Sequence, residues 1–288
     1  MSFVFFIGLC WGSFLNVWIY RIPRKESIAH GRSHCPSCQH SLGPMDLVPV
    51  LSFIFLGGKC RYCKAGISPQ YPFIELLVGA LFLLSYLRFV QPQELASPYI
   101  LIKTFFFITV NVVIAKIDWD LSIIPNSISY PSIVAGMVFA LYNREYEGVI
   151  GLAPNPDIFS SLLGGGLYFG LFLSLFVVSK GGMGMGDVKW ALFLGLSLGW
   201  FYGFIAIFMA SLLSVFFSYF VLYMFKDKVE RLEGVSGEED DEIPASKKVW
   251  GVSITDGKPA VVFGPFLAIG FLTAWFFGSS ISLFLGLL

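Results

Sequence analysis

From Val188 to Phe225 the chain carries one charge, Lys189, and no proline in an otherwise apolar run. A helix needs about 20 apolar residues to cross a bilayer, and this run is nearly twice that length. It cannot be one ordinary span. Gly199 to Gly203 supplies the natural break, which predicts two helices joined by a tight turn. Shorter apolar stretches lie at roughly 1–20, 72–90, 99–117, 128–142, 159–179 and 259–287, giving about eight spans in all. The stretch at 128–142 is short unless it extends into Pro125 and Asn126. The first stretch lacks a basic leader and an Ala-x-Ala-like cleavage site, so it reads as a retained span.

The runs are continuous and do not alternate, which favours a helical bundle over a barrel. Composition agrees: 56% of the residues are hydrophobic and 13% charged, with a mean hydropathy of +0.75. A soluble domain carries about twice that charged fraction. The expected fold class is therefore all-α, a polytopic membrane protein. Its expected organisation is a first transmembrane helix at 1–20, a Cys-rich module at 21–71 and a membrane bundle at 72–288. The bundle is interrupted by a polar loop at 226–258. That loop contains the acidic run Gly237-Glu238-Glu239-Asp240-Asp241-Glu242 and reads as a solvated, flexible connection. No internal repeat of fixed period is visible.

Net charge is zero, so the charge total points to no partner, but its distribution orients the chain. With the N-terminus outside, all of the 19 lysines and arginines except Arg88, Lys103 and Arg144 fall on the inner side. The positive-inside rule then puts the Cys-rich segment, Asp118, Asp120 and Asp187 at the cytoplasmic face.

Cys35-Pro-Ser-Cys38 and Cys60-Arg-Tyr-Cys63 each place two thiols around a tight turn, at a separation typical of four-thiolate zinc sites. Four thiolates satisfy a tetrahedral zinc with no open position, so the metal is expected to staple a module too small to build much core. The alternatives are two redox pairs or unliganded thiols. His30, His34 and His40 read as ordinary loop residues, and Cys10 as a packing residue in the first span.

Two further segments carry carboxylates at membrane boundaries. Gly184-Met185-Gly186-Asp187 presents an acid behind two glycines just before the long apolar run. Ile117-Asp118-Trp119-Asp120 closes the third span, before Ile124-Pro125-Asn126 restarts the chain. An ionisable residue at such a place is a functional candidate. Two carboxylates sharing one water divide general-base and general-acid roles and titrate as a pair. The competing reading is solvated charge at helix ends, which the macrodipole favours for Asp187. Asp118 and Asp120 point to different helix faces, so only one belongs to a shared site, and spacing does not choose between them.

Taken in order, these segments resemble the type IV prepilin peptidase family over nearly the whole chain. Gly12-Ser13-Phe14-Leu15-Asn16-Val17 with Arg21-Ile22-Pro23 resembles its opening signature. The paired cysteines resemble its cytoplasmic zinc loop, as does Tyr71-Pro72-Phe73-Ile74-Glu75-Leu76-Leu77 after it. Ile117-Asp118 with Ile124-Pro125-Asn126 and Gly184-Met185-Gly186-Asp187-Val188-Lys189 are similar to its two aspartate-bearing segments. Phe263-Gly264-Pro265-Phe266 resembles the opening of its last helix. The GxGD segment also occurs in presenilin-like intramembrane proteases, whereas the acidic run is outside the family pattern.

The resemblance implies Asp118 and Asp187 as the catalytic pair, with Gly184, Gly186 and Lys189 shaping the site. It implies cleavage of the basic leader of type IV prepilins or pseudopilins after glycine, at the cytoplasmic face of the bacterial inner membrane. It also implies methylation of the new N-terminus with S-adenosylmethionine as donor. Glu75 and Asn16 are the candidate substrate or cofactor contacts, though either also suits interhelical packing. The expected partners are the pilin substrates and the bilayer, with no nucleic acid. The alternatives are a peptidase without methyl transfer and an ion transporter. The transporter reading is disfavoured because both acids sit at one membrane edge and not near the midplane.

Overall fold

The computed structural model describes residues 1–89, 98–142, 156–179, 183–224, 248–249, 252–255 and 258–284. These residues form helices α1 (Ser2–Arg21), α2 (Leu51–Phe55), α3 (Gln70–Phe89), α4 (Pro98–Leu121) and α5 (Asn126–Tyr142), followed by α6 (Ile158–Ser179), α7 (Met185–Met224) and α8 (Gly264–Phe284). Six helices, α1, α3, α4, α6, α7 and α8, are long and apolar enough to cross a membrane. The fold is all-α in its bulk, and the chain is a multi-pass membrane protein. Large side chains such as Phe3, Val178, Phe216 and Phe284 lie exposed along these helices, as lipid-facing residues do.

α5 is the short helix, at 17 residues. It extends back to Asn126, and the Pro125 carbonyl accepts hydrogen bonds from the Ile128 and Ser129 amides in its first turn. α7 runs for 40 residues but breaks at Gly199, whose φ of 72° and ψ of −178° are not helical. Only glycine takes that conformation without strain. The break divides α7 into two limbs, as the length of the apolar run requires.

Two expectations fail at the end of the chain. The last helix begins at Gly264 and not near Pro259, because residues 258–261 are a strand. β1 (Lys248–Val249), β2 (Val252–Thr255) and β3 (Lys258–Val261) form an antiparallel meander with Ser253 opposite Ala260 and Thr255 opposite Lys258. The segment read as a flexible loop therefore contains ordered strands. The sequence signal for it is Asp256-Gly257 between two short β-rich runs, a strong hairpin pattern. Pro265 sits in the first turn of α8, where its missing N–H costs nothing. The acidic run at 237–242, Arg144 and Lys180 lie outside the described residues.

The chain divides into two compact units, Met1–Val113 and Ile114–Leu288, with the boundary inside α4. In the first unit α1 and α3 touch backbone to backbone. A side chain added at Gly8 would lie 2.8 Å from the Gly79 Cα, and one at Gly12 2.7 Å from the Glu75 Cα. Two small residues four apart permit this approach. Trp11 Nε1 donates to Thr109 Oγ1 at 2.8 Å, holding α1 to α4.

In the second unit the first limb of α7 is buried on every side, including Val188, Trp190, Phe193, Leu194 and Leu198. A helix apolar all round belongs in the middle of a bundle. Trp190 meets Phe193 at 4.6 Å, and Phe193 stacks on Phe271 of α8 at 5.5 Å.

Candidate active site and metal centre

The end of α4 and the start of α7 bring Asp118 and Asp187 within electrostatic reach of each other. Asp118 is buried, and its Oδ2 accepts a hydrogen bond from the Gly264 backbone N–H at 3.0 Å. Any side chain at Gly264 would collide with that carboxylate. The glycine opening α8 is thus part of the aspartate's seat. Asp187 is half-buried, and its Oδ1 is enclosed with no hydrogen-bond partner among the described residues. A buried polar atom of this kind calls for a partner such as water or substrate.

Asp120 lies elsewhere. It is exposed on the outer face of α4 and paired with Lys116 one turn earlier. Of the two acids that spacing left open, only Asp118 faces the Gly264 amide and the start of α7.

The segment before α5 packs against the start of α7. A side chain at Gly186 would lie 2.8 Å from the Ile124 Cβ, so glycine there lets the α4–α5 connection lie against the Asp187 turn. The Asp187 amide closes that turn by donating to the Gly184 carbonyl at 3.1 Å. Lys189 Nζ donates to Asn126 Oδ1 at 2.7 Å and lies 5.1 Å from the Tyr130 ring centre. It ties α7 to α5 and is not bonded to Asp187. On the other flank, Trp119 contacts Phe217 at 5.6 Å and Phe217 contacts Phe266 at 5.3 Å. These rings hold the end of α4 between the second limb of α7 and the start of α8.

In the first unit the sulfurs of Cys35, Cys38, Cys60 and Cys63 all lie within 4.8 Å of one another. The two pairs are built alike. The Cys35 amide donates to the His40 carbonyl and the Gln39 amide to the Cys35 carbonyl. The Cys60 amide donates to Ala65 and the Lys64 amide to Cys60 in the same pattern. Leu42 bonds back to Ser33 as Ile67 does to Gly58, and Gln39 and Lys64 both take a φ near 60°. Each pair is a knuckle that points two sulfurs at one spot. The backbone N–H of Cys38 favours the thiolate of Cys35 and, against the opposing effect of burial, brings its pKa down to about 6. A group so poised suits a metal. The four thiols fit a closed tetrahedral site.

Two other residues organise the module. Buried Arg21 donates to the carbonyls of Ser27, His30 and Gly31 at 2.9, 2.8 and 3.1 Å, gathering the loop that follows α1. The Asp46 carboxylate accepts from Arg61 Nε at 2.6 Å, Tyr62 Oη at 3.1 Å and the Gly43 amide at 3.1 Å. The Arg61 contact holds its pKa below the usual carboxylate range. Asn16 Nδ2 donates to the Tyr71 carbonyl at 3.2 Å, and buried Glu75 Oε2 accepts from the Val50 amide at 2.7 Å. Cys10, expected to pack in the first span, is exposed instead, because its face of α1 is not covered.

The pattern described as "Bacterial Peptidase A24 N-terminal domain" matches residues 6–89, and that of the "Type IV leader peptidase family" matches residues 105–219. A Klebsiella pneumoniae "Prepilin leader peptidase/N-methyltransferase" is 34% identical over 209 residues, covering 69% of this chain and 85% of that protein.

The chain belongs to the type IV leader peptidase family.

Relatives with the same name in Bacillus subtilis and Myxococcus xanthus are 33% and 35% identical, each over 69% of this chain. The match covers 74% of the Bacillus protein and 56% of the Myxococcus one, so the chain spans little more than half of the latter's length. No solved structure is significantly similar to the chain. Both family patterns cover one part of the geometry: the N-terminal pattern contains the cysteine knuckles, and the peptidase pattern contains both aspartates.

Sequence reasoning missed the Gly264 amide, the Ile124 contact on Gly186 and the Asn126 partner of Lys189. Each of these residues lay inside a segment already noted for its resemblance. Only the contact partner was missing, because pairs this far apart in the chain leave no periodic trace.

Proposed function

We propose that the chain is an aspartic endopeptidase of the bacterial inner membrane that removes the leader of type IV prepilins or pseudopilins. The observation that carries this reading is the approach of Asp118 and Asp187 within electrostatic reach, one oxygen seated on the Gly264 amide and another buried with no hydrogen-bond partner among the described residues. In the reaction, one carboxylate of the pair takes a proton from a water as its oxygen attacks the scissile carbonyl. The other gives a proton to the carbonyl oxygen. The proton taken from water then passes to the departing amine, while the other carboxylate takes back the hydroxyl proton of the tetrahedral intermediate as the carbonyl re-forms, so the pair is restored and no covalent intermediate forms.

Charge distribution supports placing this site at the cytoplasmic face, with cleavage after glycine where a basic leader meets an apolar segment. The four cysteines would hold zinc, a structural ion that joins the two knuckles. The methyltransferase in the relatives' names supports a second step, methylation of the new N-terminus from S-adenosylmethionine.

Incubation with a prepilin, with and without S-adenosylmethionine, followed by mass analysis of the product N-terminus, tests both activities. The expected product is cleaved after glycine and gains one methyl group only when the donor is present. An uncleaved prepilin would overturn the peptidase reading.

A further inference from the structure

The cysteine module carries an apolar patch that the described residues leave uncovered. In the short helix α2, Leu51, Ile54 and Phe55 are 48%, 63% and 83% exposed. Met45 and Leu47, just ahead of it, are exposed as well. The other face of α2 is used inside the module, where Phe53 and Leu56 line a cavity of about 600 Å³ bounded by α1, the start of α3 and the cysteine knuckles. A helix apolar on every side belongs between two apolar surroundings. Protein supplies only one of them.

The other is set by the depth at which α2 sits. The Val50 amide, immediately before α2, donates to Glu75 Oε2 at 2.7 Å. Val50 has φ 61° and ψ −49°, and a positive φ is a genuine outlier for a β-branched residue. Strain of this kind persists only where surrounding structure enforces it, so the start of α2 is fixed against α3. Glu75 lies about 7.5 Å along α3 from Gln70, on a helix long and apolar enough to cross a membrane. Phe73, nearer the start of α3, is already 63% exposed. The chain entering α2 is thus level with apolar surface that α3 turns to lipid.

Charge agrees with this depth. Besides Arg61, which pairs with Asp46, the exposed basic residues between 21 and 71 are Arg24, Lys25, Arg32, Lys59 and Lys64. Glu26 is the one exposed acid there. Lys59 follows α2 closely, after Gly57 and Gly58 turn the chain with φ of 60° and 68°. A lysine so placed runs its apolar stem along the patch and keeps its ammonium among headgroups. Apolar side chains edged by basic ones are what seats a helix on an anionic bilayer.

We propose that α2 is a membrane-surface anchor. Leu51, Ile54 and Phe55 enter the leaflet in which α1 ends and α3 begins, and Lys59 and Lys64 meet its anionic headgroups. The anchor holds the cysteine module at the bilayer surface. Neither the peptidase nor the methyl-transfer reading is needed for it.

The test uses the full chain in nanodiscs of phosphatidylcholine, with and without phosphatidylglycerol. An aryl diazirine dissolved in the lipid is photolysed to a carbene, with glutathione in the water to quench whatever escapes. Peptide mass spectrometry then locates the label, and Phe73 is the internal standard for lipid contact. Ile54 and Phe55 are expected to label as strongly as Phe73, and more with phosphatidylglycerol than without. In Ile54→Gln with Phe55→Gln, the label at Leu51 is expected to be lost while Phe73 labelling and the thermal midpoint are retained.

Label at Phe73 with none on α2 in the wild-type protein would overturn the anchor, whether hydroxyl-radical footprinting then finds α2 in water or covered by protein. Equal α2 labelling in the two kinds of nanodisc would overturn the headgroup contact of Lys59 and Lys64.

Discussion

Gly264 shows how little freedom the site leaves a single residue. Its amide bonds to Asp118 and its missing side chain makes room for the carboxylate, so even Gly264→Ala must displace the acid. Misplacing a catalytic group by about 1 Å costs on the order of a hundredfold in rate. Gly264→Ala is therefore expected to lower kcat for prepilin cleavage by about that factor with KM little changed, measured by initial rates. Asp46 gives a pH prediction in the module. Its folded pKa lies below the unfolded value because of Arg61, so its stabilisation is present above the ordinary aspartate range, near pH 4. It is lost as pH falls through the depressed folded value. Asp46→Asn should remove this acid dependence from module unfolding, followed by fluorescence between pH 3 and 6 (roughly spanning that range), while leaving the dependence of the cysteine cluster.

Among the elements, α7 depends on one glycine to become two limbs. Gly199 has a left-handed φ, and a Cβ there would lie 2.7 Å from the Pro156 Cβ. Gly199→Ala should destabilise the protein by about 1–2 kcal/mol from backbone strain, before that contact is counted. A lowered thermal midpoint in detergent checks it. The helices themselves were legible because a bilayer demands long apolar segments, and the break near Gly199 followed from length. Less legible were features set by a few residues: the β1–β3 meander, announced only by Asp256-Gly257, and the start of α8, pulled to Gly264 by β3. Two acids at helix ends were readable as a candidate site, and the proposal of Asp118 with Asp187 as the pair came through family resemblance. Their seat was not readable, because Gly264 reaches Asp118 across the sequence interval between α4 and α8. The matching knuckles were hidden for a different reason: they share backbone hydrogen bonds more than side chains.

The whole molecule has two units, one with the four-cysteine cluster, the other with the carboxylate pair. This division predicts unequal sensitivity to metal removal. The knuckles cannot be held together by their small core alone, so a strong chelator, or Cys35→Ser with Cys60→Ser, should unfold the module. Cleavage is expected to be retained in larger part, read from the N-terminal mass spectra of the prepilin product.

The central claim is that Asp118 and Asp187 form one proteolytic pair. Its most direct measurement is the cleavage rate of a prepilin by purified Asp118→Asn, Asp187→Asn and Asp120→Asn proteins. Asn at 118 or 187 should each lower the rate by about a thousandfold or more, as loss of general acid–base catalysis does. Asn at 120 should change it only slightly, since Asp120 is exposed and pairs with Lys116. Near-normal cleavage by either the Asp118 or the Asp187 variant would contradict the account.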